Sequence, residues 1–379
     1  MFDIVSPDAI ADGRATDAYF QRTRESLDGA GHDPHVVCEV TADQFPTGEF
    51  EVFAGIEDAA QLLAGHEIDV HALREGQLFD GGPVMRIEGR YLAFAELETS
   101  LLGFLSPASG WATSAREIAT AAGDRIAFSF GARHVHPSTA AALERSALVG
   151  GMDGISHVAA GDVLNRAPSG TMPHALVITF GQGNQEQAWQ AFDAHAPEDV
   201  PRIALTDTYA DETEEALRAA RAVDDLDGVR LDTTGSRRGD FEHIVREVRW
   251  TLDDAGFDEV DILVSGGVTA EAVRRLRPHV DGFGVGSAIS EGPSVDFGLD
   301  IVEREGEGAA KRGKLTGAKA VYRADGDHVV EPADAPALED AEPLLEPLIK
   351  DGEIVREFDL DAAADRCARD AERVGFGSK

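Results

Sequence analysis

The rhythm of hydrophobic and polar positions changes near residue 125. Before it, segment 14–28 has helical spacing, while 35–41 and 49–54 alternate like strands. Residues 83–94 (PVMRIEGRYLAF) predict a hairpin around Glu88-Gly89, and the loop-like SPASG at 106–110 precedes a predicted helix over 111–123. After residue 125, β-rich runs at 126–130, 155–158, 202–206, 229–232, 261–265 and 281–285 alternate with amphipathic stretches. Those stretches predict helices near 138–148, 185–195, 211–224, 240–255 and 269–277. Strands joined by helical crossovers pair in parallel, and six such units point to a barrel-like α/β sheet. One unit is irregular. Between Ser156 and Thr179 no full amphipathic helix appears, and ALVIT (175–179) reads as a strand by propensity or as a helix opened by Pro173. Segment 314–331 predicts strand–turn–strand with Asp325-Gly326 in the turn, and 360–373 a polar terminal helix. The expected fold class is α/β. An irregular TIM-like α/β barrel over 111–294 is accompanied by a smaller α/β domain formed from 1–110, with 295–379 adding strands and the last helix.

At 379 residues the chain suits two domains, or a barrel with a module. Its 43% hydrophobic and 27% charged residues fit a globular protein and exclude disorder. No apolar run reaches membrane-spanning length, and the opening MFDIVSPDAIADGR is acidic where an export signal is basic. Cys38 and Cys367 form neither a metal-ligand spacing nor a disulfide framework, so a reduced, cytoplasmic protein is expected. The charge changes the picture most. Seventy acids against 34 bases give −36, and all five lysines lie at Lys311 or later. Such a surface repels phosphate backbones, which argues against a nucleic-acid partner. The composition resembles that of proteins working in molar salt, where counterions screen self-repulsion. An acidic patch for a basic partner is the alternative, but the acids are spread along the whole chain.

In parallel α/β folds ligands sit at the carboxyl ends of the strands. The candidates there are Gly131-Ala132-Arg133-His134, Ser156-His157, Thr206-Asp207-Thr208, Arg230 with 232–236 (DTTGS), Ser265-Gly266-Gly267 and Gly284-Val285-Gly286-Ser287. The last two groups are the most specific. Glycine-rich turns after adjacent strands let backbone N–H groups approach a phosphate closely. Neither a P-loop nor a complete dinucleotide-binding glycine fingerprint occurs. Asp207 and Asp232 suit Mg²⁺ or ribose hydroxyls, or alternatively cap the helices that follow. Arg133 and Arg230 suit a carboxylate or phosphate, or alternatively pair with surface acids. His174, after GTMP, has no role on its own spacing.

Taken together the motifs resemble nicotinate phosphoribosyltransferases, in the short archaeal-type form of the type II phosphoribosyltransferases. The resemblance runs from about residue 12 to 320. It rests on ATDAYFQRT (15–23), FGAR (130–133), GISHVAAG (154–161), GTMPH (170–174), LTDTY (205–209), VRLD (229–232), SGG (265–267) and FGVGS (283–287), in the family's order. It implies that nicotinate nitrogen attacks C1 of phosphoribosyl pyrophosphate, giving nicotinate mononucleotide and pyrophosphate. Phe130 and Tyr19 of a partner subunit would sandwich the ring, with Ser156 and Arg230 on its carboxylate side. Arg133 would meet pyrophosphate, and Asp207 and Asp232 the ribose or Mg²⁺. Ser265, Gly266, Gly267, Gly284, Gly286 and Ser287 would form the phosphoribosyl site. His174 matches the histidine that ATP phosphorylates in that family. A shared active site implies a homodimer or a higher homo-oligomer.

Two departures matter. Only Cys367 lies where some relatives carry a four-cysteine zinc knuckle, so no structural zinc is expected, and His157 stands where many relatives have Asn. The rival readings are quinolinate phosphoribosyltransferase, whose resemblance implies a lysine- and arginine-rich site, and a non-catalytic phosphoribosyl-binding protein on the same fold.

Overall fold

A computed structural model describes residues 4–232, 239–324 and 327–377. Its contacts divide it into two compact units. The first comprises Met1–Arg116, Val149–Gly151 and Gly292–Phe376. Its centre is a seven-stranded antiparallel sheet in which Pro83–Arg90 lies between His35–Ala42 and Ile68–Ala72. Phe297–Arg304 pairs with His35–Ala42 on one side, and Glu346–Lys350 with Ile68–Ala72 on the other. The apolar faces of these strands bury Val36, Cys38, Val40, Val70, Met85 and Ile87 with residues of helix Ile56–Leu63. The strand Lys319–Ala324 pairs antiparallel with Asp327–Pro332, while the predicted turn Asp325-Gly326 lies outside the described residues.

Two local expectations fail in this unit. Residues 83–90 form one continuous strand, because the alternation of buried and open positions runs straight through Glu88-Gly89. SPASG is no loop. It lies within helix Glu98–Ala122, with Pro107 inside. Proline removes one helical hydrogen bond there, and burial of Leu101, Leu105, Ala108, Ala112 and Ala115 along one face outweighs that loss.

The second unit comprises Glu117–Leu148, Met152–Glu291 and Gly377–Lys379. Six parallel strands form its sheet: β1 (Ile126–Ser129), β2 (Gly154–Ile155), β3 (Ile203–Leu205), β4 (Gly228–Leu231), β5 (Asp261–Val264) and β6 (Gly282–Val285). Their order is β2-β1-β6-β5-β4-β3, the mixed α/β architecture expected, with β2 and β3 at opposite ends of the ladder. Between β2 and β3 the chain forms helices Val158–Leu164, His174–Phe180 and Gln185–His195. The ALVIT segment is therefore helical, with Pro173 as the cap residue just before it. The β-branched residues favour a strand locally, but proline fixes a φ that suits a helix start. Among the described residues, no helix is long and apolar enough to cross a membrane.

Candidate functional site

Strand ends of the second unit converge on a cavity of about 670 Å³. Phe130, Arg133 and His134 enter it after β1, and Ser156 and His157 after β2. The 170–173 segment covers one side, Arg230 and Asp232 come from β4, and Ser265, Gly266 and Gly267 follow β5. Gly284, Gly286 and Ser287 line it from β6 and its loop.

Three glycines have a steric reason to be glycine. Gly266 has φ +83°, and a Cβ there would lie 2.1 Å from the Asp232 carbonyl oxygen. At Gly284 a Cβ would lie 2.3 Å from Phe130 Cε2, so only glycine lets the aromatic ring lie against β6. A Cβ on Gly286 would come within 3.0 Å of His134 Cε1. Glycine at these positions lets the β5 and β6 turns pack directly against Asp232, Phe130 and His134.

Carboxylates and a histidine adjoin the β5 turn. Asp232 N–H donates to Asp207 Oδ2 at 2.6 Å, and Ser265 Oγ donates to Asp232 Oδ1. His174 Nε2 lies 3.5 Å from Asp232 Oδ2 and 3.8 Å from Asp207 Oδ1, while its Nδ1 meets Thr208 Oγ1 at 3.1 Å. The Asp232 side chain is 30% exposed, but that of Asp207 only 2%. Asp207 therefore orients Asp232 from below, and the cavity-facing carboxylate is Asp232. Neither caps a helix; Asp211 and Asp240 do so for Glu212–Ala222 and Phe241–Asp254.

Arg230 donates to Thr171 Oγ1 at 2.5 Å and to the Met172 carbonyl at 3.1 Å. Burial pushes its guanidinium pKa down; Asp232 and Asp207 oppose this, and Arg133 reinforces it. Among the described residues, neither Arg133 nor Arg230 lies within salt-bridge distance of a carboxylate. Arg133 Nε donates to His134 Nε2, so His134 Nδ1 carries the proton it shares with Ser290 Oγ at 2.9 Å.

Residues 17–109 match the family model for the quinolinate phosphoribosyl transferase N-terminal domain, and 111–300 that for its C-terminal domain. The chain belongs to this family of type II phosphoribosyltransferases. A nicotinate phosphoribosyltransferase of Bacillus subtilis is 31% identical over 230 residues, 58% of this chain but 45% of that protein's length. Nicotinate phosphoribosyltransferase pncB1 of Mycobacterium tuberculosis is 29% identical over 385 residues, covering 89% of this chain and 85% of that one. A crystal structure of a nicotinate-nucleotide pyrophosphorylase from Pyrococcus furiosus superposes with a TM-score of 0.95 at 44% identity, covering 99% of both chains.

In this phosphoribosyltransferase most of the residues singled out in the sequence share one cavity. Tyr19 does not: it stands on the first unit's helix Ala18–Ala30, 56% exposed. Thr233 to Ser236 lie outside the described residues. His157 caps helix Val158–Leu164, its Nδ1 accepting from Ala160 N–H at 3.2 Å. Sequence reading missed Thr171 and the Met172 carbonyl, the acceptors that fix Arg230. It also missed Glu215, a buried carboxylate that accepts the backbone N–H groups of Thr208, Tyr209 and Ala210 at 2.8–3.0 Å and pins the loop carrying Asp207. A Glu on an amphipathic helix gives no sign that it turns inward.

Proposed function

We propose that this phosphoribosyltransferase forms nicotinate mononucleotide and pyrophosphate from nicotinate and phosphoribosyl pyrophosphate, coupled to ATP through a phosphohistidine at His174. The carrying observation is the lining of the cavity. Phe130, Ser156 and Arg230 line the same cavity as the glycine turns of β5 and β6. A flat ring bearing one carboxylate suits the first group, and a 5′-phosphate the second. Nicotinate nitrogen attacks C1, the bond from C1 to the pyrophosphate oxygen breaks, and the electron pair leaves with pyrophosphate. Because the transition state is oxocarbenium-like, the residues act by positioning and by charge. Asp232 faces the electron-poor ribose carbon, and Arg133 the departing pyrophosphate. Mg²⁺ arrives with the phosphates as part of the substrate, and the hard oxygen of Asp232 suits it.

The relatives' names support a nicotinate nucleotide as product. Among the described cavity-lining residues there are two arginines, Arg133 and Arg230, and no lysine. We also propose a cytoplasmic enzyme working in concentrated salt, as the acidic, lysine-poor composition suggests, and a homodimer in which a partner's Tyr19 closes the ring pocket.

The test is made in molar KCl with Mg²⁺ and phosphoribosyl pyrophosphate, following mononucleotide from nicotinate with and without ATP. ATP raises the yield with the native protein; no product from folded protein, with nucleotide bound, favours the non-catalytic reading. His174→Ala is expected to remove the ATP stimulation, about tenfold or more, ~1.4 kcal/mol, while leaving the ATP-free rate. A variant that keeps ATP-dependent turnover rejects the phosphohistidine. Tyr19→Ala is expected to raise KM for nicotinate about tenfold, the size of one aromatic contact, with KM for phosphoribosyl pyrophosphate nearly unchanged. Equal loss of both rejects the stacking role.

A further inference from the structure

His134 is a strand-end residue that no step of the proposed reaction uses, yet it lines the cavity beside Arg133. Both follow β1 on the short turn Ala132–His134. Arg133 Nε donates to His134 Nε2 at 3.2 Å. A guanidinium N–H is always a donor, so Nε2 is a bare acceptor and the ring N–H sits on Nδ1. Nδ1 donates to Ser290 Oγ at 2.9 Å, and that hydroxyl donates to the Gly286 carbonyl oxygen at 3.3 Å. The donor directions thus agree from the guanidinium to the glycine turn after β6. Packing holds the same parts together. A Cβ on Gly286 would meet His134 Cε1 at 3.0 Å, and one on Gly131 would meet Ser290 Cβ at 3.3 Å. In a chain with 70 acids, Arg133 is anchored by an imidazole and has no carboxylate within salt-bridge distance among the described residues.

We propose that His134 is a positioning residue that holds Arg133 toward the departing pyrophosphate and ties it to the β6 turn through Ser290. This rests on the reading that Arg133 meets pyrophosphate. With Nε committed to His134, the terminal nitrogens of the guanidinium keep their donors for phosphate oxygens. An unanchored arginine loses rotamer entropy when a ligand fixes it, and the bond to His134 removes part of that loss before the ligand arrives. A carboxylate could anchor the side chain too, but its charge would oppose the approach of a polyanion. Imidazole leaves the guanidinium charge uncompensated. Because the link ends on Gly286, the arginine and the glycine turn keep one relative position.

The experiment reads dissociation constants for magnesium pyrophosphate and for nicotinate by calorimetry in molar KCl. It compares native protein with His134→Phe, His134→Gln, Arg133→Ala and the double variant Arg133→Ala with His134→Phe. His134 is exposed, so the fold tolerates both of its replacements. Phe keeps a flat ring but offers no acceptor: pyrophosphate binding weakens about tenfold, while nicotinate binding stays within about threefold of native. Gln carries a carbonyl oxygen at similar reach and restores pyrophosphate binding to within about threefold. With Arg133 already removed, adding His134→Phe changes pyrophosphate affinity less than about twofold, because the histidine has nothing left to position. A similar loss in both backgrounds means that His134 binds the ligand itself. No loss in Phe, no recovery in Gln, or an equal loss for nicotinate means that the bond to Arg133 positions nothing. Each of these overturns the proposal. Arg133→Ala that binds pyrophosphate as tightly as native overturns the reading of Arg133, and the role of His134 falls with it.

Discussion

Gly266→Ala is expected to lower kcat/KM about a hundredfold, the scale of an ångström-sized displacement of a positioned group. The added methyl meets the Asp232 backbone at 2.1 Å, where no side-chain rotation relieves it. The β4 and β5 strand ends must part, and Asp232 moves with its main chain, away from Ser265 and from the Asp207 carboxylate that holds its N–H. Alanine at φ +83° adds a backbone cost of ~1 kcal/mol or more. Gly256→Ala separates the two effects. That glycine has φ +84° with open space around its Cβ position, so it pays the backbone term alone. Denaturant unfolding should show a loss in both variants, and kinetics a loss only in Gly266→Ala. Comparable kcat/KM losses in both would mean that strain, rather than displacement of Asp232, is responsible.

Arg230→Lys is the second large effect. The guanidinium reaches Thr171 Oγ1 and the Met172 carbonyl with separate nitrogens while standing near Asp232 and Asp207. An ammonium group keeps the charge but not the fork, and cannot hold both acceptors in that geometry. Each lost hydrogen bond to a charged donor is worth ~1.5–3 kcal/mol. The expected result is a rise of about a hundredfold in KM for nicotinate, with a smaller change for phosphoribosyl pyrophosphate. Near-native nicotinate kinetics in Arg230→Lys would show that charge alone suffices and that the fork has no part in ring recognition.

Much of the site was legible because it lies at strand ends. Apolar runs locate the parallel strands, and the polar or glycine residues after them are forced toward one side of the sheet. Continuous buried runs mark β5 and β6, and the glycines there are explained by contacts a Cβ would make. What stayed hidden depends on distant neighbours. Glu144 and Glu215 look like ordinary surface acids of amphipathic helices, and only the fold shows that they turn toward serine and backbone donors. Asp207 carries a strand-end signature like that of Asp232, yet the fold buries one and exposes the other. Turn-forming residues misled at Glu88-Gly89 and at Pro107, where pairing on both edges of a strand and burial of a helix face override local preference.

The central claim is that one cavity joins a ring bearing a single carboxylate to a phosphoribosyl group. Its most direct test offers native protein an equal mixture of nicotinate and quinolinate, distinguishably labelled in the ring, with phosphoribosyl pyrophosphate, Mg²⁺ and ATP in molar KCl. Mononucleotide carrying the nicotinate label, with pyrophosphate released and no CO₂, is the expected result. Mononucleotide carrying the quinolinate label, with one CO₂ for each product formed, would contradict it.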